Sequence, residues 1–255
     1  MLLTIDIGNT NLTIGLYENK KLGARWRLAT DHERMPDEYG LQILNLLQHS
    51  GCSPSQLDGI CLSSVVPPLT SRVIEACENY LHQLPLIVSN ELNTGIKILY
   101  DKPEAVGSDR IADTVAVNHL YGGGPACIVD FGTATTFNAI NGQGEYLGGA
   151  IAPGIVIASQ ALFSRAAKLP RVDLKRPPSV IGQNTTHAIQ SGMIFGYVSL
   201  LEGMVKRFRE ELGQETKVIA TGGLAQLIAT ETDVIDIIAP WLTLEGLRVI
   251  WEMNQ

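Results

Sequence analysis

The sequence is poor in cysteine, histidine and positive charge. Its 255 residues include four cysteines, widely spaced and without a Cys-x-x-Cys pair, so neither a disulfide framework nor a zinc site is predicted. The five histidines show no metal-ligand spacing. Basic residues number 19 against 26 acidic ones, and the net charge of -7 disfavours a general affinity for nucleic acid or an anionic membrane. We therefore expect no nucleic-acid partner and no membrane partner.

Long uninterrupted apolar runs are also missing. No basic segment precedes the first strand-like run, which argues against a signal peptide, and the most apolar later stretch, 148–163, is broken by Pro153 and several glycines. The chain is 45% hydrophobic and 18% charged, without a low-complexity tract, as in globular proteins. A cytoplasmic protein of one large or two ordinary domains is expected.

Three common enzyme signatures are absent as well. The chain has neither a G-x-x-x-x-G-K-[ST] loop nor a G-x-G-x-x-G segment after a strand, so any nucleotide must be held by another fold. It also lacks a G-x-S-x-G elbow, which argues against a hydrolase triad.

What the chain does have is a turn that occurs twice. Residues 6–11 (DIGNTN) and 130–136 (DFGTATT) are both Asp-x-Gly turns with hydroxyl or amide side chains, and apolar runs flank each. The second begins 124 positions after the first, close to half the chain. A single copy would be an ordinary hairpin turn, but two copies favour phosphate binding. A glycine lets the backbone approach an anion, N–H and hydroxyl groups donate to it, and the aspartate can hold Mg²⁺.

Strands and helices alternate around these turns in an α/β pattern. The first half predicts a β-hairpin over 2–17, helices over 36–49, 67 to about 84 and 107–120, and a strand over 59–66. The second half predicts strands ending at 130 and over 137–140, 145–151 and 217–220, with helices over about 154–168 and 184–212. The shared order predicts two domains, 1–120 and 121–255.

A third glycine motif, 221–225 (TGGLA), follows a predicted strand and begins a helix. Its backbone could pass close to a flat base, or to a phosphate at the helix N-terminus. Alone it would be a plain strand-to-helix turn. Together with the two phosphate turns it indicates the adenosine side of a nucleotide site.

The segment 107–110 (GSDR) begins the predicted helix between the two halves. Asp109 there would complement the helix dipole and Arg110 could pair with Asp113, which is a purely structural interpretation. However, a kinase needs a carboxylate that accepts the proton of the acceptor hydroxyl, and Asp109 lies where a cleft between halves would be. Tyr100, shortly before, could form a polar wall of that cleft.

Together these motifs resemble those of the actin, sugar kinase and Hsp70 superfamily. More narrowly, they are similar to the type III pantothenate kinase family, and the similarity extends over essentially the whole chain. It also rests on segments 148–154, 184–185 and 190–192. The resemblance implies an α/β fold of two duplicated ribonuclease H-like halves with a cleft between them, as in actin-like ATPases.

The resemblance also implies a role for each matched residue. Asp109 would be the general base on the pantothenate hydroxyl. The substrate-binding residues would be Tyr100, Gly107, Ser108, Asp109, Arg110 and Thr185. The ATP-binding residues would be Asp6, Ile7, Gly8, Asn9, Thr10, Asn11, Leu12, Thr13, Thr133, Gly222 and Gly223.

The implied cofactors and partners follow in the same way. Asp6 would hold Mg²⁺ and Asp130 a monovalent cation, K⁺ or NH₄⁺. Thr185 would contact substrate in the partner of a homodimer, although the adjacent Thr186 leaves open which threonine does so.

The expected function is the ATP-dependent phosphorylation of pantothenate to 4'-phosphopantothenate, the first step of coenzyme A biosynthesis. Two alternatives stay open. Another small-molecule kinase of the superfamily would share the ATP motifs and differ only around Tyr100 and Asp109. A transcription accessory factor would need no enzyme activity, but the acidic charge and the intact Asp109 speak against it.

Overall fold

A computed structural model describes residues 1–166 and 168–255. The chain forms two compact units, which are described separately. Unit 1 comprises Met1–Ile96, Tyr100–Gly122 and Leu242–Gln255, and unit 2 comprises Lys97–Leu99 and Gly123–Trp241.

Unit 1 is a five-stranded mixed sheet with helices, in the strand order β3-β2-β1-β4-β5. Its strands are β1 Leu2–Ile7, β2 Asn11–Glu18, β3 Lys21–Ala29, β4 Gly59–Ser64 and β5 Leu86–Ile87. Its helices are α1 Pro36–His49, α2 Pro67–Ala76, α3 Ser108–Leu120 and α7 Leu242–Met253. Strand β1 is almost fully buried and pairs antiparallel with β2 and parallel with β4.

Helix α1 shows why these residues form a helix and where it packs. Pro36 stands in the first turn, and the Glu38 side chain accepts a hydrogen bond from the Met35 N–H at 2.8 Å, which caps the N-terminus. Its buried face presents Tyr39, Ile43 and Leu47 at intervals of four residues to the core of unit 1.

Unit 2 repeats the same sheet order, β8-β7-β6-β9-β10 when read in the matching direction. Its strands are β6 Ala126–Phe131, β7 Ala134–Ile140, β8 Tyr146–Pro153, β9 Lys217–Thr221 and β10 Ile237–Ile238. Its helices are α4 Ile155–Arg165, α5 Thr185–Leu212 and α6 Ala225–Ala229. In each unit the first strand pairs antiparallel with the second and parallel with the fourth, so the predicted duplicated α/β fold is confirmed.

Several elements differ from those predicted. Strand β3 was not predicted, although Leu22, Ala24, Trp26 and Leu28 alternate with exposed residues as in a half-buried strand. The helix predicted over 67–84 ends at Ala76 and continues as one π-helical turn, Cys77–Leu81. The helix predicted over 154–168 is α4, and position 167 lies outside the described residues.

The last helix, α7, belongs to unit 1, whereas the predicted domain boundary put it with the second half. It packs against α3 and β1. The close approach requires a glycine, because a Cβ on Gly246 would meet the backbone carbonyl of Ala112.

Helix α5 is long and apolar enough to cross a membrane, judged by length and composition alone. Its residues Tyr197, Leu201 and Val205 pack into the core of unit 2, however. A single helix of this kind is weak support for a membrane span, since core helices share the same composition.

Candidate active site

The carboxyl ends of β1 and β4 form the first candidate site, in unit 1. The two strands are parallel, and Asp6 lies directly opposite Ser63. Ser63 is fully buried, and its hydroxyl donates a hydrogen bond to Oδ1 of Asp6. Asp6 is partly exposed and pairs with Thr13 across to β2. The Asp6 carboxylate is therefore held at the edge of the sheet.

The first Asp-x-Gly turn connects β1 to β2 at the same edge. The Gly8 N–H donates to the carbonyl of Asn11 at 3.0 Å, which closes the turn. The side chains of Asn9, Thr10 and Asn11 are exposed.

Ile7 and Leu12, two of the predicted ATP-binding residues, anchor this turn through buried side chains. Ile7 and Leu12 have side chains that are completely buried in the hydrophobic core of unit 1. Only their backbone can therefore take part in binding a phosphate, and their side chains fix the two strands that carry the turn.

The N-terminus of α3 is fixed to the end of β4 by one hydroxyl group. Ser108 Oγ accepts a hydrogen bond from the Ser64 N–H at 2.9 Å and donates one to the Ser64 carbonyl at 3.1 Å. Ser64 follows Ser63, the residue that holds Asp6. The structure thus brings Asp109, in the first turn of α3, to the same sheet edge as Asp6.

Asp109 combines partial exposure with an unfavourable environment for its charge. Burial raises the pKa of its carboxyl, and the N–H and guanidinium of Arg110 act in the opposite direction without offsetting it. The Arg110 N–H donates to Asp109 Oδ1 at 2.8 Å. Gly107 leaves room for this carboxyl, since a Cβ there would meet Oδ1. A raised pKa makes the carboxylate a stronger proton acceptor.

The remaining predicted substrate residues lie in different places. Tyr100 belongs to unit 1 and is 42% exposed, in the loop ahead of α3. Arg110 is half-buried in α3. Thr185 belongs to unit 2, where it is the exposed first residue of α5. Asn184 caps this helix through its side chain, which accepts a hydrogen bond from the His187 N–H at 2.9 Å.

Thr185 also lines a groove of about 560 Å³ in unit 2. The other lining residues are Leu162, Leu169, Gly182, Gln183, Asn184, Ala188, Ile189, Gly192 and Met193. Thr186 is not among them. Of the two adjacent threonines, Thr185 is therefore the one placed to contact a molecule in this groove.

The second Asp-x-Gly turn forms the candidate site of unit 2. Asp130, at the end of β6, lies opposite Thr221 at the end of the parallel strand β9, as Asp6 lies opposite Ser63 in unit 1. The Gly132 N–H closes the turn by donating to the Ala134 carbonyl at 3.1 Å. The duplication therefore includes the hydroxyl residue that faces each aspartate.

The glycine motif after β9 packs directly on this turn. Gly222 has a φ of +90° and lies so close that a Cβ there would meet Asp130 Oδ1. Gly223 is exposed, and nothing apart from its chain neighbours lies within 4 Å of the position its Cβ would take. The partly exposed Thr133 is held from the other side, because the Gly154 N–H donates to its carbonyl at 3.2 Å.

Asp6 and Asp130 suit metal ions whose remaining coordination positions are filled by a bound substrate. Among the described residues there is no group of three or more His, Cys, Asp or Glu side chains that could hold a metal ion. Mg²⁺ commonly uses one or two carboxylates together with substrate phosphates, and the partly exposed Asp6 fits that requirement. Asp130 offers a single carboxylate of the same kind.

Sequence reasoning missed the serines at the end of β4. Ser63 and Ser64 connect the two candidate acidic residues, yet neither was singled out. A signal was present, because two hydroxyl residues end a buried strand that runs parallel to the strand with Asp6. The carboxyl ends of such strands meet at one edge.

Two duplicated α/β halves, each with an Asp-x-Gly turn after its first strand, define the class of actin-like kinases and ATPases. Solved structures share this fold, and two of them serve as examples. The inorganic polyphosphate/ATP-glucomannokinase from Arthrobacter sp. strain KM has a TM-score of 0.50 at 14% identity, covering 99% of this chain and 97% of the other. A conserved putative Baf family transcriptional activator from Campylobacter jejuni has a TM-score of 0.61 at 22% identity, covering 99% and 98%. At these identities the likeness shows the fold alone.

The family follows from two sequence comparisons. The model of the type III pantothenate kinase family matches residues 2–207. The type III pantothenate kinase of Roseiflexus sp. (strain RS-1) is 52% identical over 255 residues, with 100% of both chains covered. The chain belongs to the type III pantothenate kinase family, as the resemblance predicted, and is therefore a kinase that acts on a hydroxyl group.

Proposed function

We propose that this protein transfers the γ-phosphoryl group of ATP to a hydroxyl of pantothenate, which gives 4'-phosphopantothenate, the first intermediate of coenzyme A biosynthesis. The observation that carries this assignment is the pair of acidic residues at one edge of unit 1. Ser63 holds Asp6 there, and Ser108 fixes Asp109 to the adjacent Ser64. This edge would then supply both a turn for the phosphates and a carboxylate that accepts the proton.

The phosphate side of the reaction belongs to the first turn. Its exposed residues Asn9 to Asn11 offer backbone N–H, amide and hydroxyl donors to phosphate oxygens. Asp6 would hold Mg²⁺, which when bound neutralises charge on the phosphates. Ser63 keeps the Asp6 carboxylate oriented for this task, so little reorganisation is needed at the moment of transfer.

The acceptor side belongs to the start of α3. In phosphoryl transfer most of the catalytic effect comes from positioning and charge stabilisation, and the base accepts its proton late. Asp109 needs only to lie within hydrogen-bonding reach of the pantothenate hydroxyl. Its raised pKa favours acceptance of that proton. Tyr100 and Arg110 would orient the rest of the substrate.

The assignment is tested by ADP release across a panel of acceptors. Purified protein with Mg²⁺ and K⁺ should release ADP rapidly with pantothenate and slowly with sugars or short hydroxy acids. Faster turnover of a sugar would favour another small-molecule kinase of the superfamily. The absence of ADP release with every acceptor would favour the accessory-factor alternative.

A monovalent cation at Asp130 would balance phosphate charge that the acidic chain has few basic residues to meet. We therefore expect activity in K⁺ or NH₄⁺ to exceed that in Na⁺ at the same ionic strength by about tenfold or more, the size of one lost charge-assisted interaction. Rates are compared in the three chloride salts. Asp130→Asn should remove the difference between salts, and equal rates for the unmodified protein in all three would contradict the cation site.

A homodimer is the assembly that the surface of unit 2 favours. Seven exposed large apolar side chains lie on β8, on α4 and in the segment before α5: Leu147, Ile151, Val156, Ile157, Leu162, Val180 and Ile181. The groove with Thr185 lies in the same part of the chain. Several exposed apolar side chains in one part of the chain support a protein–protein interface there. Each protomer would thereby offer Thr185 to the pantothenate site of its partner, in a cytoplasmic enzyme.

Sedimentation velocity tests this assembly. The unmodified protein is expected to sediment as a dimer, and Ile157→Asp as a monomer with a kcat/KM for pantothenate reduced by about tenfold or more, because an unpaired charge would be buried at the interface. Leu84→Asp is the matched control, since Leu84 is 69% exposed in unit 1. A fully active monomer would contradict the role of Thr185 across the interface.

A further inference from the structure

Thr30, the residue after β3, makes two contacts with the first phosphate turn. Its N–H donates to the Thr10 carbonyl at 3.0 Å, and its hydroxyl donates to the Gly8 carbonyl at 2.6 Å. Both accepting carbonyls belong to the turn that closes between β1 and β2. Thr30 is half-buried and was not singled out by the sequence.

These contacts matter because of what a phosphate requires of a backbone turn. An anion is attracted by N–H groups and repelled by carbonyl oxygens, so a binding turn must direct its carbonyls away from the anion. Thr30 engages the carbonyls of Gly8 and Thr10, and the Gly8 N–H engages that of Asn11. Of the four turn residues, Gly8, Thr10 and Asn11 thus have carbonyls that are held by hydrogen bonds within the protein.

Unit 2 provides an independent comparison. Gly154 follows β8 as Thr30 follows β3, and its N–H donates to the Thr133 carbonyl in the second turn. The backbone contact is therefore duplicated. The hydroxyl contact of Thr30 cannot be duplicated at this position, because a Cβ on Gly154 would meet the carbonyls of Thr133 and Gly132. The hydroxyl of Thr30 is specific to the turn that carries Asp6.

We propose that Thr30 is a positioning residue for the ATP phosphates, acting through the Gly8 carbonyl. Without the hydroxyl, the Gly8–Asn9 peptide can rotate its carbonyl toward the anion, and the turn loses part of its affinity for phosphate. The inference rests on the proposed function in that the first turn holds the phosphates of ATP. Nucleotide binding itself can be measured without an acceptor.

The test compares Thr30→Val with Thr30→Ser. Valine keeps the shape and the N–H but removes the hydroxyl, whereas serine keeps the hydroxyl. Thr30→Val should raise the KM for ATP about tenfold, the effect of one strong hydrogen bond, and leave the KM for pantothenate within about twofold. Thr30→Ser should restore the KM for ATP to within about threefold of the unmodified protein.

The matched control is Thr216→Val. The Thr216 hydroxyl also donates to a backbone carbonyl at 2.6 Å, that of Gly213, and belongs to none of the candidate sites. This variant should lose stability without a change in the KM for ATP. If Thr30→Val is insoluble, Thr30→Ala replaces it, because alanine removes the same hydroxyl and adds no bulk.

Each outcome decides the proposal. The rise in thermal unfolding midpoint caused by Mg-ATP reports binding without any acceptor, since a ligand that binds only the folded state stabilises it. A smaller rise for Thr30→Val, with recovery in Thr30→Ser, supports the role of Thr30 even if pantothenate proves to be the wrong acceptor. Three results would overturn it. In Thr30→Val, the midpoint rise and the KM for ATP could both stay unchanged, or the KM values for ATP and pantothenate could increase equally. Alternatively, Thr30→Ser could bind ATP as weakly as Thr30→Val does.

Discussion

Asp109→Asn is expected to lower kcat by about 10²- to 10⁴-fold, the usual contribution of a general base. The asparagine fits the same space, and its amide oxygen can still accept the hydrogen bond that the Arg110 N–H gives to Asp109 Oδ1. The KM for ATP should therefore stay within about threefold. Steady-state kinetics with both substrates measures the two effects separately, and near-normal turnover would remove Asp109 from the role of base.

The same variant also tests the electrostatics of the site. Burial raises the pKa of Asp109, so the folded protein binds this proton more tightly than the unfolded chain does. Stability contributed by this group is therefore lost as the pH rises through the folded-state pKa. At neutral pH the charge is a cost, and Asp109→Asn should show a thermal unfolding midpoint equal to or above that of the unmodified protein. A large loss of stability would mean that the activity loss reflects misfolding.

The pH profile gives a further check on the base. Activity requires the deprotonated carboxylate, so the rate of the unmodified protein should fall as the pH drops through the raised pKa of Asp109. Asp109→Asn should lack that acidic limb. Asp233→Asn is the control, because Asp233 is exposed and outside the candidate sites.

Gly222→Val is expected to weaken ATP binding by about 10²-fold or more. A φ of +90° is strained for a valine, at a cost of about 1–3 kcal/mol. In addition, its Cβ would meet Asp130 Oδ1 and lie 2.7 Å from the backbone N and C of Phe131. Relieving these contacts moves the second phosphate turn. About 2.8 kcal/mol corresponds to a hundredfold change in affinity.

The measurement for this variant is the dissociation constant of ATP by calorimetry. Gly203→Ala is the matched control, because Gly203 stands inside helix α5 and nothing beyond its chain neighbours and the backbone of its own helix lies within 4 Å of the position of its Cβ. It should bind ATP as the unmodified protein does. If Gly222→Val binds ATP normally, the glycine motif after β9 has no part in the nucleotide site.

Local patterns predicted much of the fold and of the site. Both Asp-x-Gly turns, the strands beside them and α3 were read from short apolar runs and punctuating glycines, which act within a few residues. Strand β3 was not predicted, although the alternation of its half-buried and exposed residues is that of a strand with one buried face.

The features that were not predicted depend on contacts between segments far apart in the chain. Local sequence patterns do not reveal which distant segments pair. Ser63 faces Asp6 because β4 is parallel to β1 in one particular register. Thr30 reaches the turn because β3 ends beside it. Helix α7 joins unit 1 through the close contact of Gly246 with Ala112, some 130 residues away in the sequence. Such contacts appear only when the sheet order is known.

Product analysis of the unmodified protein tests the central claim most directly. With ATP, Mg²⁺, K⁺ and pantothenate, mass spectrometry should find phosphopantothenate and ADP formed in equal amounts, and ADP release should nearly stop when pantothenate is left out. ADP release that does not depend on pantothenate, without any phosphopantothenate, would contradict the account.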